Sequence, residues 1–212
     1  MSLRPSLALS FLLLGCWATV CAHQTPDSSS KSRHKPEPHV RSHPSAIGDS
    51  PTTYRSSEFA FTCKIPYAWV DRTQQMQDDA SDPARSKLLL AVFERPPEAI
   101  GETVNPAIVI TAESAASYPG LKTAADYMGP LTELTTSKGF KTVEQPYDFS
   151  VGTTHLVRGD FVKDVGKLTM HQSSLVSLRR GFVLCFTFIG GSEDEIDELI
   201  EKLSFSLAKP AK

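Results

Sequence analysis

The sequence predicts one α+β domain in which a β-sheet is covered on both faces. The first observation behind this class is the run from Leu88 to Phe93, which is apolar at every position. Such a strand is typical of the centre of a sheet that is buried on both sides. The second is a series of three strands near the end of the chain, separated by short turns that contain Gly166 and Gly181. The third is a pair of segments with helical periodicity, one on each side of that series.

Residues 1–22 have the pattern of a secretory signal peptide. Arg4 precedes an apolar stretch that runs from Leu7 to Val20, and Val20 and Ala22 are the small residues that signal peptidase requires before its cleavage site. The stretch is shorter than the roughly 20 residues that a helix needs to span a bilayer. We therefore expect cleavage after Ala22, and a secreted or periplasmic protein that begins at His23.

A second interpretation of the same segment starts from Cys16. The residues Leu13-Leu14-Gly15-Cys16 resemble a bacterial lipobox, whose cysteine is acylated and becomes the first residue of the mature protein. The chain would then be a lipoprotein tethered to the membrane through Cys16. Both interpretations place the protein outside the cytoplasm, in the cell envelope.

Residues 23–57 form a Ser-, Pro- and His-rich segment with few large apolar side chains. Because burial cannot offset the entropy lost on ordering such a segment, we predict a disordered tether. Four of the six histidines of the chain lie in it. Without a fixed geometry around them, we expect no bound metal.

The globular domain is predicted over residues 58–208. Its first strand covers residues 58–65, where Phe59, Phe61 and other apolar side chains alternate with polar ones. Trp69 follows soon after the strand ends. Further strands are predicted over residues 87–94, 107–111, 140–144, 153–163, 168–178 and 182–188.

Two helices are predicted, over residues 121–138 and after Ser192. Pro130 lies inside the first helix and should kink it or split it, because proline removes an amide donor and clashes with the preceding turn. Ser192 and Glu195 have the spacing of a capping box. We expect the apolar stripe of the last helix to share one core with the first strand, made of Phe59, Phe61, Ile65, Trp69, Ile196, Leu199, Ile200 and Leu203.

Several of these residues carry a family resemblance. They are Phe59-x-Phe61, Ile65-Pro66-x-x-Trp69, Gly139-Phe140 after the middle helix, the three-strand series, and Leu203-Ser204-Phe205 after the last helix. In this order they resemble the PsbP-like superfamily, which includes the exported bacterial lipoprotein DcrB. The resemblance covers about residues 58–207 and implies an α/β/α sandwich, an antiparallel sheet with helices on both faces. It also implies a binding or assembly role and no particular reaction. Ala68 stands where the family pattern leads us to expect glycine.

One acid–base pair is a candidate for catalysis. If Val165 and Gly166 form a two-residue hairpin loop, His171 lies opposite Asp160, and Arg158 lies opposite a serine on the next strand. A hydrolase-like site would also need a nucleophile and an oxyanion donor, and no nucleophile elbow is found in the sequence. A structural pair on the sheet surface is therefore favoured over catalysis.

The two cysteines of the domain, Cys63 and Cys185, have two interpretations. They can form a disulfide, because an exported protein folds in an oxidising compartment. They can also remain buried thiols, since free cysteine packs as a small apolar residue. The second interpretation is favoured; alternation along the two strands does not decide whether the two residues share a face.

The remaining observations concern function. The sequence has no phosphate loop, dinucleotide fingerprint or zinc-binding spacing, so we predict no catalytic, cofactor-binding or metal-binding residue. Acidic residues outnumber basic ones after residue 57, which argues against a nucleic-acid partner. We predict a non-catalytic envelope protein that binds a protein partner or a small ligand. The alternatives are a hydrolase-like enzyme that uses His171 and Asp160, and a lipoprotein scaffold that meets the membrane only through its lipid.

Overall fold

The structure is a computed structural model that describes residues 52–78, 86–99 and 101–206. The predicted signal peptide, the candidate lipidation site Cys16 and the tether up to residue 51 lie outside these residues. Among the helices of the described part, none is long and apolar enough to cross a membrane.

The described residues form eleven strands and three α-helices. The strands are β1 Thr53–Ser56, β2 Phe61–Lys64, β3 Val70–Asp71, β4 Ser86–Phe93, β5 Ala107–Ser114, β6 Lys141–Thr142, β7 Tyr147–Val151, β8 Thr154–Val165, β9 Leu168–Arg179, β10 Phe182–Gly190 and β11 Leu203–Phe205. The helices are α1 Thr73–Asp78, α2 Ala124–Ser137 and α3 Glu193–Ile200. The predicted α+β class is confirmed.

Two antiparallel sheets organise the fold. The large sheet has eight strands in the order β3-β4-β5-β10-β9-β8-β6, and β7 pairs with β8 beside that path. The small sheet has the order β1-β2-β11. We call the face of the large sheet that packs against α3 and the small sheet the α3 face, and the opposite face, against which α1 and α2 pack, the α2 face.

The run from Leu88 to Phe93 in strand β4 is apolar because both faces of the strand are buried. An irregularity in its register lies between Leu88 and Leu90. Leu88 and Ala91 are therefore buried on the α2 face, whereas Leu90 and Val92 are buried on the α3 face. Both faces of the strand are covered, as the sequence indicates.

The main core lies between the large sheet, the small sheet and α3. Phe61 of β2 packs edge-on against Phe186 of β10, with ring centroids 5.1 Å apart. Ile196 and Leu199 contribute the apolar side of α3 to the same cluster. All eight residues expected in the core are buried there: Phe59, Phe61, Ile65, Trp69, Ile196, Leu199, Ile200 and Leu203.

The start of the domain differs from the prediction. Thr53–Ser56, which the sequence analysis placed in the disordered tether, pairs with β2 as strand β1. Tyr54 packs against Phe61 with ring centroids 5.8 Å apart, and Ser56 Oγ accepts a hydrogen bond of 3.2 Å from the backbone N–H of Phe59. Tyr54 is the one aromatic residue in an otherwise polar segment, and its packing was not predicted. Because β1 belongs to the small sheet, the domain begins before residue 58.

The predicted stripe of the last helix also differs. Helix α3 ends at Ile200, and Leu203 belongs to strand β11, which pairs with β2. Leu203 and Phe205 face the core on either side of Ser204, whose hydroxyl lies 2.7 Å from that of Thr62. Leu203 is buried in the expected core, but as a strand residue.

Of the two predicted effects of Pro130, a kink or a split, the split does not occur. Helix α2 runs through Pro130 without interruption and buries Tyr127, Met128, Leu131 and Thr135. Proline inside a helix costs about 3 kcal/mol through the lost hydrogen bond and the clash of its ring with the preceding turn, and burial of these four side chains against the sheet offsets that cost.

Candidate ligand-binding groove

A groove opens on the α2 face between helices α1 and α2. Its cavity has a volume of about 320 Å³. Strand side chains form the floor, α2 forms one wall, and Met76 of α1 and the segment after β4 form the other. The floor includes Ala107, Val109 and Thr111 of β5 and Cys185, Thr187 and Ile189 of β10.

Local sequence explains why space remains here. Helix α1 has only six residues and packs over β4, whereas α2 packs over β8 and β9. The strands between the two helices carry small side chains on this face, such as Ala107, Val109 and Thr187. Short side chains below a gap between two helices leave a cavity with mainly apolar walls.

Glu113 lies at the end of the groove near the start of α2 and accepts two hydrogen bonds. Its Oε1 accepts a bond of 3.0 Å from the hydroxyl of Tyr127, and its Oε2 accepts one from the hydroxyl of Tyr118. Burial, followed by the nearby Glu113 carboxylate, raises the pKa of both phenols. Both tyrosines therefore stay protonated as donors at neutral pH, and they occupy both oxygens of the carboxylate.

The other end of the groove carries two lysines, Lys138 and Lys163. The ammonium of Lys163 donates a 2.8 Å hydrogen bond to the carbonyl of Lys138, the residue that caps α2, and lies 5.5 Å from the centre of the Phe140 ring. Burial lowers the pKa of Lys138. Asp164 also lines this end, and its carboxylate lies 3.6 Å from the ammonium of Lys141. The charged side chains of Lys138, Lys163 and Asp164 therefore lie together at one end of an apolar groove.

Comparisons with known proteins concern the fold. No protein-family profile matches the chain, and no curated protein sequence matches it. Among solved structures, the cyanobacterial PsbP of Synechocystis sp. PCC 6803 is similar, with 15% identity, a TM-score of 0.48, and coverage of 79% of this chain and 99% of that protein.

Two further solved structures are similar to this chain. A Pseudomonas aeruginosa protein of unknown function has 18% identity and a TM-score of 0.40, over 76% of this chain and 99% of that protein. The Ran-binding protein Mog1p of Saccharomyces cerevisiae has 14% identity and a TM-score of 0.41, over 72% of this chain and 84% of its own.

The predicted pairing of His171 with Asp160 is wrong. The closing pair of the β8–β9 hairpin is Val165 with Leu168, so Asp160 lies opposite Ser173, and His171 lies opposite Val162. The two-residue loop is therefore Gly166-Lys167, one position later than predicted. This shift places His171 diagonally away from Asp160 on the same face of the sheet.

Asp160 instead belongs to a network around the buried side chain of Arg158. The guanidinium Nε lies 2.9 Å and 3.1 Å from the two carboxylate oxygens. The carboxylate also accepts hydrogen bonds from the hydroxyls of Tyr147, at 2.9 Å, and Ser173. Arg158 further donates a 2.8 Å bond to Asp197 of α3. These bonds connect α3 and β7 to the sheet. They also occupy the carboxylate of Asp160, which a catalytic histidine would need.

The predicted pairing of Arg158 with a serine is also displaced. Arg158 lies opposite Leu175 in the ladder and reaches Ser173 diagonally, over 3.2 Å. In the described ranges, no group of three or more His, Cys, Asp or Glu side chains is arranged to hold a metal ion.

The two cysteines are free thiols on opposite faces of the large sheet. Cys63 lies in the core of the α3 face, and Cys185 lies on the α2 face at the floor of the groove. Because the sheet separates them, the alternative of a Cys63–Cys185 disulfide does not occur in this fold. Burial raises the pKa of each thiol to about 12, so both remain protonated and unreactive.

The groove was not among the features predicted from the sequence. Its lining comes from strands and helices that are distant along the chain, and no local motif marks it. The available signal is the run of short side chains at alternate positions of β5 and β10, where Thr111 and Thr187 interrupt apolar strands.

Proposed function

We propose that the protein is an exported, non-catalytic binding module of the cell envelope, and that it holds a small, mainly apolar molecule in the groove between α1 and α2. The observation that carries this proposal is the cavity of about 320 Å³ on the α2 face. Ligand sites of proteins are concave, mainly apolar and equipped with a few polar groups, and they begin at about 300 Å³.

The composition of the walls supports a ligand rather than a structural gap. Leu131 and Leu134 of α2 and Val109 of β5 supply apolar contact area, while the charged side chains of the lining lie at the two ends. Binding of an apolar molecule to such a surface is favourable, because it removes apolar area of both the molecule and the groove from water.

The non-catalytic part of the proposal rests on Asp160. Its hydrogen bonds to Arg158, Tyr147 and Ser173 leave His171 without the partner that a hydrolase mechanism requires. The exported location rests on the signal-peptide pattern of residues 1–22. Cleavage after Ala22 gives a soluble periplasmic or secreted form, and acylation of Cys16 gives a tethered one.

The proposal is tested with a neutral apolar dye, N-phenylnaphthylamine, whose fluorescence rises on transfer into an apolar site. We expect the full-length protein to bind it saturably. Thr187→Phe places a phenyl ring in the floor of the groove and should weaken binding about tenfold, which is 1.4 kcal/mol.

The matched control is Thr169→Phe, the same change at an exposed position of β9. It should leave dye affinity as in the wild type. Circular dichroism of both variants confirms that each is folded. Equal affinities for the wild type and a folded Thr187→Phe variant would refute the proposed site.

A further inference from the structure

We propose that the ligand of this groove is an uncharged molecule, an alcohol or a ketone with an apolar body, whose oxygen forms its hydrogen bond with the hydroxyl patch of Thr111 and Thr187. This inference rests on the proposed function and adds the chemical class of the ligand. It makes the two threonines the residues that determine specificity.

The hydroxyl patch lies on the floor of the groove. In the ladder between β5 and β10, Thr111 lies opposite Cys185, and Thr187 follows Cys185 by two residues on the same face of the sheet. Both threonines line the cavity and are partly buried. Diagonal positions on adjacent strands are neighbours, so the two hydroxyls form one polar area below the apolar walls.

The hydroxyl patch retains capacity for further hydrogen bonds. Among the residues that the structure describes, the hydroxyl of Thr111 has no protein partner. The hydroxyl of Thr187 lies 3.7 Å from the thiol of Cys185, and a hydroxyl has one donor and two acceptor sites. The other amide and hydroxyl side chains of the described lining each bond to the protein: Thr135 to Leu131, Asn105 to Arg95, Gln172 to Ser174 and Tyr127 to Glu113. A polar atom of a ligand therefore finds its partner at the hydroxyl patch.

The charged side chains of the lining favour an uncharged ligand. Among its described residues, the lysines Lys138 and Lys163 are matched in number by the acids Glu113 and Asp164. Each has a partner: Glu113 two tyrosine hydroxyls, Lys163 the carbonyl of Lys138, Asp164 the ammonium of Lys141 at 3.6 Å, and Lys138 a partner of its own. An ion that enters the groove would lose hydration and compete with these partners. An uncharged molecule avoids both costs.

The register separates the hydroxyl patch from the lysine end. Thr187 lies opposite Ser174 of β9, whereas Lys163 lies opposite Met170 of the same strand. An offset of four residues is about 13 Å along a strand. An oxygen held at the hydroxyl patch therefore lies in the apolar part of the groove.

The hydroxyl patch also argues against a pure hydrocarbon. A hydrocarbon that covers the two threonines removes water from their hydroxyls without replacing its hydrogen bonds, whereas an alcohol or a ketone replaces them. A site that hydrogen-bonds its ligand discriminates against an analogue without the bonding group. We therefore choose 2-acetylnaphthalene as the probe, 2-isopropylnaphthalene as the counterpart with a methyl group in place of the oxygen, and 2-naphthoate as the charged counterpart.

The test is displacement of N-phenylnaphthylamine from the full-length protein by the three molecules, with the affinity of the dye measured separately in each variant. The double variant Thr111→Val/Thr187→Val removes both hydroxyls and keeps β-branched side chains, which suit strands. Its affinity for 2-acetylnaphthalene should fall about tenfold, whereas its affinity for 2-isopropylnaphthalene should rise or stay within about twofold. Thr111→Ser/Thr187→Ser keeps the hydroxyls and should retain the wild-type ratio of the two affinities. In the wild type, 2-naphthoate should bind at least about tenfold more weakly than the ketone.

Thr142→Val is the matched control, because Thr142 is exposed in β6 and lies outside the described lining of the groove. Its affinities should equal those of the wild type. Unchanged ketone affinity in a double valine variant that circular dichroism shows to be folded would overturn the inference and leave the groove proposal standing. So would an equal fall for ketone and hydrocarbon, or binding of 2-naphthoate as tight as that of the ketone. Failure of the dye itself to bind would instead overturn both proposals.

Discussion

Replacing Phe61 by alanine tests how much stability comes from the layer between the two sheets. Phe61 is 1% exposed and lies in β2, the central strand of the small sheet. Its ring packs against Phe186 at 5.1 Å, Tyr54 at 5.8 Å and Phe205 at 6.2 Å between centroids. The change removes contacts to both sheets at once.

The magnitude follows from these contacts. Truncation of a buried phenylalanine costs about 3–5 kcal/mol through lost transfer energy and the cavity left behind. Aromatic pairs add about 0.5–1.5 kcal/mol each, so we expect the upper part of that range, about 4–5 kcal/mol. This is a large share of the roughly 5–15 kcal/mol that stabilises a typical domain.

The assay is unfolding by heat and by urea, followed by circular dichroism. The midpoint of thermal unfolding should fall by about 10–15 °C in Phe61→Ala. The control is Tyr67→Ala, at a position that is 61% exposed, which should change the unfolding free energy by less than about 1 kcal/mol. Similar losses in the two variants would refute the placement of Phe61 between the sheets.

Three further predictions concern the cysteines, the response to pH and one strained residue. In native protein, Cys63 and Cys185 should resist alkylation and should react in denaturant; recovery of a peptide that links them would contradict the fold. Burial raises the pKa of both thiols to about 12 and raises that of Tyr127. A raised pKa in the folded state stabilises the protein below the unfolded pKa, so the free energy of unfolding in urea should fall as the pH rises from about 9 to about 12; a constant value across that range would count against this burial. Ala68 has a φ of 63°, so Ala68→Gly should stabilise the protein by about 0.5–1 kcal/mol. Ala125→Gly, at an exposed position of α2, should instead destabilise it by about 1 kcal/mol, and a loss in both variants would show that Ala68 is not strained.

The strands of the second half of the domain were predictable from the sequence because turn residues separate them. The register of the β8–β9 hairpin was predicted wrongly. Gly166 has a φ of 64° and Lys167 has no positive φ, so the loop is Gly166-Lys167 with glycine at its first position, as in a type II′ turn. A Val165-Gly166 loop would place the β-branched Val165 at a position that requires a positive φ, so turn chemistry favours the observed loop. The difference of one loop position separates His171 from Asp160, and with it the predicted acid–base pair is lost.

The short strands at the edges and the groove were beyond local reasoning for a common reason. Strand β11 forms because Leu203 and Phe205 add to the edge of β2, which lies far away in the chain. The groove depends on the distance between α1 and α2 above β5 and β10, and nothing in the neighbouring sequence encodes that distance. By contrast, burial of Phe59, Phe61 and Trp69 follows from alternation and size, which are local properties.

Binding of an apolar molecule in the groove on the α2 face can be mapped residue by residue. Its most direct test is the change in backbone amide chemical shifts when N-phenylnaphthylamine is titrated into the isotopically labelled protein. We expect saturable shifts at Thr111, Thr187 and Leu134, which surround the cavity. Shifts confined to the small sheet β1-β2-β11, or no shifts at dye concentrations that saturate fluorescence, would contradict it.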